Sequence, residues 1–185
     1  MKNTVDLLND EKVLVERCVQ QDRKAQKRLY KRYARKMYNV AYRILRDDES
    51  AQDALQEGFL VVLRDISSFR GDSSLSTWIH RIIVYKSINI LKREKNVSFE
   101  KVESEFSEPF EFTVDEYKIS IDQIKEAIAS LSDGYRTIIN LYLIEGYDHT
   151  EISEILGVSE STSRSQYHRG RKALQQLLKN KFYGH

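Results

Sequence analysis

The 185-residue sequence has one cysteine, one tryptophan, one proline and four histidines. A single thiol, Cys18, excludes an internal disulfide and fits a reducing, cytoplasmic setting. With His80, His149, His168 and His185 scattered along the chain, no metal-ligand spacing appears, and no metal or other cofactor is expected. There is no apolar run near the length that spans a bilayer, which excludes membrane insertion by a helix. The opening residues, MKNTVDLLNDEK, are too polar for a secretory signal. What is present is 31% charged and 41% hydrophobic residues, the balance of a soluble globular protein with a modest core. The length has room for one large domain or two small ones.

The net charge of +2 hides a strong segregation. Residues 1–95 carry twenty Lys/Arg against thirteen Asp/Glu, whereas residues 96–120 carry two against seven. Residues 121–160 hold two basic and eight acidic side chains, and residues 161–185 hold six basic and none acidic. Charge arranged this way sets up fields of opposite sign in different places, which solubility alone does not require.

Hydrophobic periodicity predicts an all-α chain of two small helical domains, 1–95 and 121–185, joined by an irregular acidic linker over 96–120. Asn9 or Asp10 can cap a first short helix that buries Val13, Leu14 and Val19, and Gln21-Asp22 ends it. A second helix, about Arg23 to Arg46, buries Leu29, Tyr33, Met37, Val40, Ala41, Ile44 and Leu45. Its other faces carry Lys24, Lys27, Arg28, Lys31, Arg32, Arg35, Lys36 and Arg43. With almost no acids near them in sequence, these cations form either a solvated face or a surface for a polyanion or acidic partner.

Asp47-Asp48 supplies the cap of a third helix, with Ala51, Leu55, Phe59, Val62 and Ile66 on its buried side. Asp53, Gln56, Glu57 and Leu60 share the opposite side and suit a basic partner helix. Asp53 and Glu57 repel mildly at i, i+4. Paired carboxylates can also serve acid–base chemistry, but no nucleophile or pocket accompanies them.

The segment Phe69–Lys95 opens with the turn Gly71-Asp72-Ser73-Ser74 and continues as a helix with Leu75, Ile79, Ile82, Ile83 and Ile90 toward the core. Trp78, Arg81, Tyr85, Asn89 and Lys92 advance by three, four, four and three residues and so line one side. Rings, an amide and cations in one stripe can hold unstacked bases against a phosphate backbone. The competing reading makes the rings core edges and the cations solvated. After the linker, which contains Pro109 and Phe99, Phe106, Phe110 and Phe112, order resumes at Ile121. A helix with Ile121, Ile124, Ile128 and Leu131 leads to Ser132-Asp133-Gly134, and the next helix buries Tyr135, Ile138, Ile139 and Tyr142. A short helix with Ile152, Ile155 and Leu156 then stops at Gly157. Val158 fills the corner and Ser159 caps a final helix over about 160–179. Short helix, glycine turn and capped second helix form a helix-turn-helix. Ser161, Thr162, Arg164, Ser165 and Gln166 stand at its start, where groove edges and phosphates accept donors, and Arg169, Arg171 and Lys172 extend the basic track.

The stretches AQDALQEGF (51–59), FRGDSSLSTWIHRI (69–82) and LSDGYRTIINLYLIEGYDHTEISEILGVSESTSRSQYHRGRKAL (131–174) resemble the extracytoplasmic-function sigma factors, a two-domain group of the bacterial sigma-70 superfamily. The resemblance implies a non-enzymatic subunit of RNA polymerase with sigma region two over 1–95 and region four over 121–185. Asp53, Gln56, Glu57 and Leu60 would dock on the coiled coil of the polymerase's largest subunit, and residues 132–146 would face the flap. Arg70, Gly71, Asp72, Ser73, Ser74, Arg81, Tyr85, Asn89 and Lys92 would read and melt the minus-ten element. Ser161, Thr162, Arg164, Ser165, Gln166, His168, Arg169 and Arg171 would contact the minus-thirty-five duplex. Promoter DNA and core polymerase are the implied partners, and the family leaves room for an anti-sigma factor. Ser132 replaces a common proline, Tyr85 and Asn89 replace a common Asn and Asp, and Gln166 stands where Arg is usual, so promoter preference is open. A free-standing helix-turn-helix regulator would leave the docking patch and aromatic stripe idle. A DNA-processing enzyme would need a converging nucleophile or carboxylate metal site.

Overall fold

In a computed structural model the described residues are 4–95, 97, 99 and 120–182, with side chains described from 10 to 180 within them. Every regular element among them is helical. The chain divides into two compact units, Met1–Glu94 and Lys95–His185. Most of the acidic linker, including Phe106, Pro109, Phe110 and Phe112, lies outside the described residues, as does His185. Phe99 is buried within the second unit, its ring edge beside Gly134.

The first unit contains α1 (Thr4–Val19), α2 (Arg23–Leu45), α3 (Asp48–Asp65), a 3-10 turn (Ile66–Ser68) and α4 (Leu75–Lys95). Side-chain chemistry sets the boundaries. Asp22 accepts from the backbone N–H groups of Lys24 and Ala25 at 2.8 and 3.2 Å and so caps α2. Gln21 and Arg46 take left-handed conformations on either side of that helix. Asp47 accepts from Ser50 N–H at 2.8 Å to cap α3, and Asp48 and Glu49 complement its dipole. The core consists of the predicted α2 residues together with Ala51, Leu55, Phe59, Val62, Ile66, Leu75, Ile79 and Ile83. Each large apolar side chain so enclosed contributes about 1.5–3 kcal/mol relative to exposure.

Two expectations for this unit change. The first helix begins before Asn9 and Asp10, so neither caps it, and it buries Leu14 and Cys18 while Val13 and Val19 stay exposed. Asp10, freed from capping, accepts from Arg28 Nη2 at 2.8 Å and from Arg32 Nη1 at 3.3 Å. Glu11 accepts from Arg32 Nη2 at 3.2 Å and from the Tyr33 hydroxyl at 2.7 Å. Burial, and then the bond to Glu11, hold the Tyr33 hydroxyl in its protonated form well above the usual tyrosine range. The basic band of α2 therefore does meet acids, on α1. In α4 the buried side is Leu75, Ile79, Ile83, Val84, Ser87, Ile88, Ile90 and Leu91, with Ile82 only partly enclosed.

The second unit contains α5 (Ile121–Ala129), α6 (Asp133–Ile139) running into one π-helical turn (Asn140–Ile144), α7 (His149–Leu156) and α8 (Glu160–Phe182). Ser120 and Gln123 form a capping box at α5, and Asp148 and Glu151 form another at α7. Ala127, Ile128, Leu131, Ile139 and Leu174 make a core cluster. Buried Arg136 donates from Nη1 to Leu131 O at 2.9 Å and from Nη2 to Asp133, tying the end of α5 to the start of α6. Ile121 and Ile124 face outward, Tyr142 is partly exposed and packs beside His149 and Tyr167, and the π-helical turn buries Leu141. Gly170 permits α6 and α8 to approach closely: a Cβ there would lie 3.2 Å from Ile139 Cγ1.

Candidate nucleic-acid interface

Three surfaces carry the sequence-predicted residues. The first is on α3, where Asp53, Gln56 and Leu60 are exposed, Leu60 by 70%. Glu57 is half exposed and accepts from Lys86 Nζ of α4 at 3.2 Å. That ion pair relieves the repulsion expected from Asp53 and turns one edge of the patch toward α4. Tyr30 of α2, 41% exposed, meets Phe59 edge-on at 4.8 Å and adds an aromatic surface to the same unit.

The second surface lies on α4 and the turn before it. Gly71 has φ +83°, a value that favours glycine, and a Cβ added there would meet open space. The conformation of the turn, and not crowding, selects glycine there. Arg70, Asp72, Ser73 and Ser74 are exposed. The Ser74 hydroxyl accepts from Thr77 N–H at 3.1 Å, so this side chain caps α4 and is not idle. Phe69 tilts against Trp78 with centroids 5.6 Å apart, fixing the turn to the first coil of the helix.

Beyond that contact runs a groove of about 320 Å³ lined by Val61, Trp78, Arg81, Ile82, Tyr85, Lys86 and Asn89. Four of the five stripe residues thus share one concave surface, and Lys92 continues the same helix face, partly buried. Val61, Ile82 and the two rings supply the apolar contacts, while Arg81, Lys86 and Asn89 supply donors. Such a surface stacks a planar ring and holds a phosphate at the same time. Val61 and Lys86 are contributors the sequence reading missed. The 82–86–89 spacing beside the stripe was the available signal for Lys86, and none existed for Val61, which enters from α3.

The third surface is the start of α8. Gly157 is left-handed at φ 66°, and Ser159 accepts from Thr162 N–H at 3.1 Å, as a helix-turn-helix requires. Ser161 and Arg164 are exposed, and Gln166, His168, Arg169 and Arg171 are partly so. Two predicted DNA contacts are corrected. Thr162 and Ser165 are 4% exposed, and their hydroxyls are engaged inside the unit. Thr162 Oγ1 lies 2.8 Å from Ser159 Oγ, and Ser165 donates to Thr162 O at 2.9 Å. Their helical positions face the core, so they support the surface without forming it. Arg164 in turn reaches back to Glu160, whose carboxyl it holds below the usual carboxylate range.

A cluster absent from the sequence reading braces this helix. His149 is buried, with Nδ1 2.9 Å from Ser163 Oγ. Its ring stacks on Tyr142 at 4.7 Å and meets Tyr167 edge-on at 5.5 Å. Burial first, and Arg164 second, hold the imidazole below its ordinary value, with weaker opposition from Glu160 and Asp148. No group of three or more His, Cys, Asp or Glu that could hold a metal occurs among the described residues. None of the described helices is long and apolar enough to cross a membrane.

Residues 29–97 match the family described as Sigma-70 region 2, and residues 121–174 match Sigma-70, region 4. The ECF RNA polymerase sigma factor SigM of Mycobacterium tuberculosis is 31% identical over 157 residues, covering 85% of this chain and 79% of the relative. SigW of Bacillus subtilis, also an ECF RNA polymerase sigma factor, is 30% identical over 161 residues, covering 80% and 86%. Among solved structures, the sigma factor RpoE of Bartonella quintana, crystallised with the anti-sigma factor NepR, aligns with a TM-score of 0.52 at 23% identity. That alignment covers 83% of this chain and 96% of RpoE. CnrH, in complex with the cytosolic domain of CnrY, gives 0.52 at 18% identity over 90% and 95%. At these identities the structures speak for the fold alone.

Proposed function

The chain belongs to the extracytoplasmic-function group of sigma-70 factors, and from that premise we propose how its surfaces divide the work of transcription initiation. The chain binds core RNA polymerase and directs it to promoters. Residues 1–95 dock the polymerase and capture the opened minus-ten segment. Residues 121–185 hold the minus-thirty-five duplex, and 96–120 connect them. The protein acts in the cytoplasm as a binding subunit without catalysis of its own, and an anti-sigma factor is a further partner.

The observation that carries the reading is the groove on α4, in which Trp78, Arg81, Tyr85 and Asn89 converge next to the Gly71 turn. Extruding a base costs a few kcal/mol, and each base–aromatic stack returns about 1–3 kcal/mol. One or two captured bases therefore offset local opening without nucleotide hydrolysis. Asp53, Gln56 and Leu60, with Glu57 at the edge, dock on the coiled coil of the largest polymerase subunit, and residues 132–146 meet the flap. On α8, Ser161, Arg164 and His168 recur at three and four residues and lie in the major groove, with Arg169, Arg171 and Lys172 on phosphates.

The test is reconstitution. Transcripts that rise on overexpression locate a promoter, and purified chain added to core polymerase should start transcription from it. A chain that neither binds core polymerase nor directs initiation from any mapped promoter contradicts the reading.

A further inference from the structure

Two sets stand out among the cations of α2. Arg28 and Arg32 are neutralised by Asp10 and Glu11 of α1. Lys24, Lys27, Lys31 and Arg35 are exposed and have no acidic partner among the described residues. At 100° per residue these four fall within about 80° of one another, so they form a single line along the helix. Eleven residues at 1.5 Å each make the line about 17 Å long. One strand of a duplex presents a phosphate every 3.4 Å or so, so the cation density approaches that of one nucleic-acid strand. The line ends beside the base-capturing turn: Lys36, the residue after Arg35, donates from Nζ to Ser76 Oγ at 3.0 Å, in the first coil of α4.

We infer that Lys24, Lys27, Lys31 and Arg35 form a phosphate track that holds the DNA backbone where it leaves the turn at 70–76. The inference rests on the function proposed above and adds a path for the strand. Lysine predominates in the line, and lysine is depleted at protein–protein interfaces. It also acts on a backbone as a point charge without reading bases. A nucleic-acid backbone fits that chemistry better than an acidic protein. The α1 acids narrow the track by taking Arg28 and Arg32 out of it.

The experiment uses the full-length chain assembled with core polymerase and a fork template of the mapped promoter that lacks the minus-thirty-five element and is already open across the minus-ten segment. Binding is measured against salt for wild type, K27Q/K31Q, and K125Q/K179Q, which removes the same two charges elsewhere. K27Q/K31Q is expected to reduce the slope of log K against log salt by about 1.4–1.8, two contacts at 0.7–0.9 each. The loss should be equal for templates of altered minus-ten sequence, and core polymerase affinity should not change. K125Q/K179Q should leave the slope alone. An unchanged slope in K27Q/K31Q, a loss confined to closed duplex, or a loss of core polymerase binding overturns the track. If the wild-type assembly itself forms no promoter complex, the sigma-factor reading falls and the track with it.

Discussion

On α4 the stripe lines a groove: Tyr85 is 42% exposed, Arg81 and Asn89 are exposed, and all three border it. On α8 much of the polarity is already engaged within the unit. Thr162, Ser163 and Ser165 bond to Ser159, His149 and backbone, and Arg164 folds back on Glu160. The difference matches what each surface is proposed to hold. Bases that leave the stack need a pocket with rings and room, whereas a duplex groove needs a rigid helix whose few outward side chains stay in register. A helix entering a groove is positioned by its own bracing, and a stacking surface is positioned by the shape between two helices.

The largest effect is expected where neither of these surfaces is touched. Asp53→Arg should weaken core polymerase binding by about 2–5 kcal/mol, the cost typical of a disrupted charge contact in an interface. Competition with labelled wild-type chain measures it, and circular dichroism should show an intact fold. Equal affinity would remove α3 from the docking assignment. Tyr85→Ala comes next. Loss of one base stack, about 1–3 kcal/mol, should reduce complexes on both closed and premelted templates.

Arg164→Ala should cost about 1–3 kcal/mol on closed duplex that includes the upstream element. It should have almost no effect on a premelted fork lacking that element. If Tyr85→Ala and Arg164→Ala lose equally on both templates, the contrast between the two helices is wrong. Thr162→Val sharpens it from the other side: removing an internal hydroxyl should lower thermal stability by about 1 kcal/mol, with duplex affinity falling only as far as stability does.

The smallest effect concerns pH. The fold favours neutral His149, because burial holds its pKa below the ordinary value of about 6.5. Its contribution is complete above that value and is lost as pH falls through the lower folded value. Protection factors for amide exchange at Ile139 and Ile152, taken relative to the intrinsic rate at each pH, should therefore fall as pH drops below about 6.5, and His149→Gln should flatten the dependence.

Helix positions and the boundary residues Asp47, Gly157 and Ser159 were legible because they depend on local chemistry within three or four residues. Asp22 was legible only as the end of α1, and the caps at Ser74, Ser120 and Asp148 were missed. The facing of side chains was less so. Cys18 was read for its chemistry when it serves as a small apolar side chain, paired at i, i+4 with Leu14, and the buried side of α1 was misjudged accordingly. Thr162 and Ser165 are polar in sequence, yet short hydroxyls satisfy themselves on nearby backbone and neighbouring side chains and can face inward at little cost. The stripe from Trp78 to Asn89 was visible as a periodicity. The groove was not, since Val61 enters it from α3 and no single-helix period encodes a crossing. The Tyr142–His149–Tyr167 stack was hidden for the same reason, joining a π-helical turn to two helices.

The division of labour between the two units is tested most directly by permanganate reactivity of unpaired thymines in the mapped promoter, on closed and premelted templates, with Tyr85→Ala and Arg164→Ala chains assembled with core polymerase. The account predicts that Tyr85→Ala lowers reactivity on closed templates and weakens retention of premelted ones. Arg164→Ala should lower reactivity on closed templates alone. Full reactivity with Tyr85→Ala, or equal loss with Arg164→Ala on premelted DNA, would contradict it.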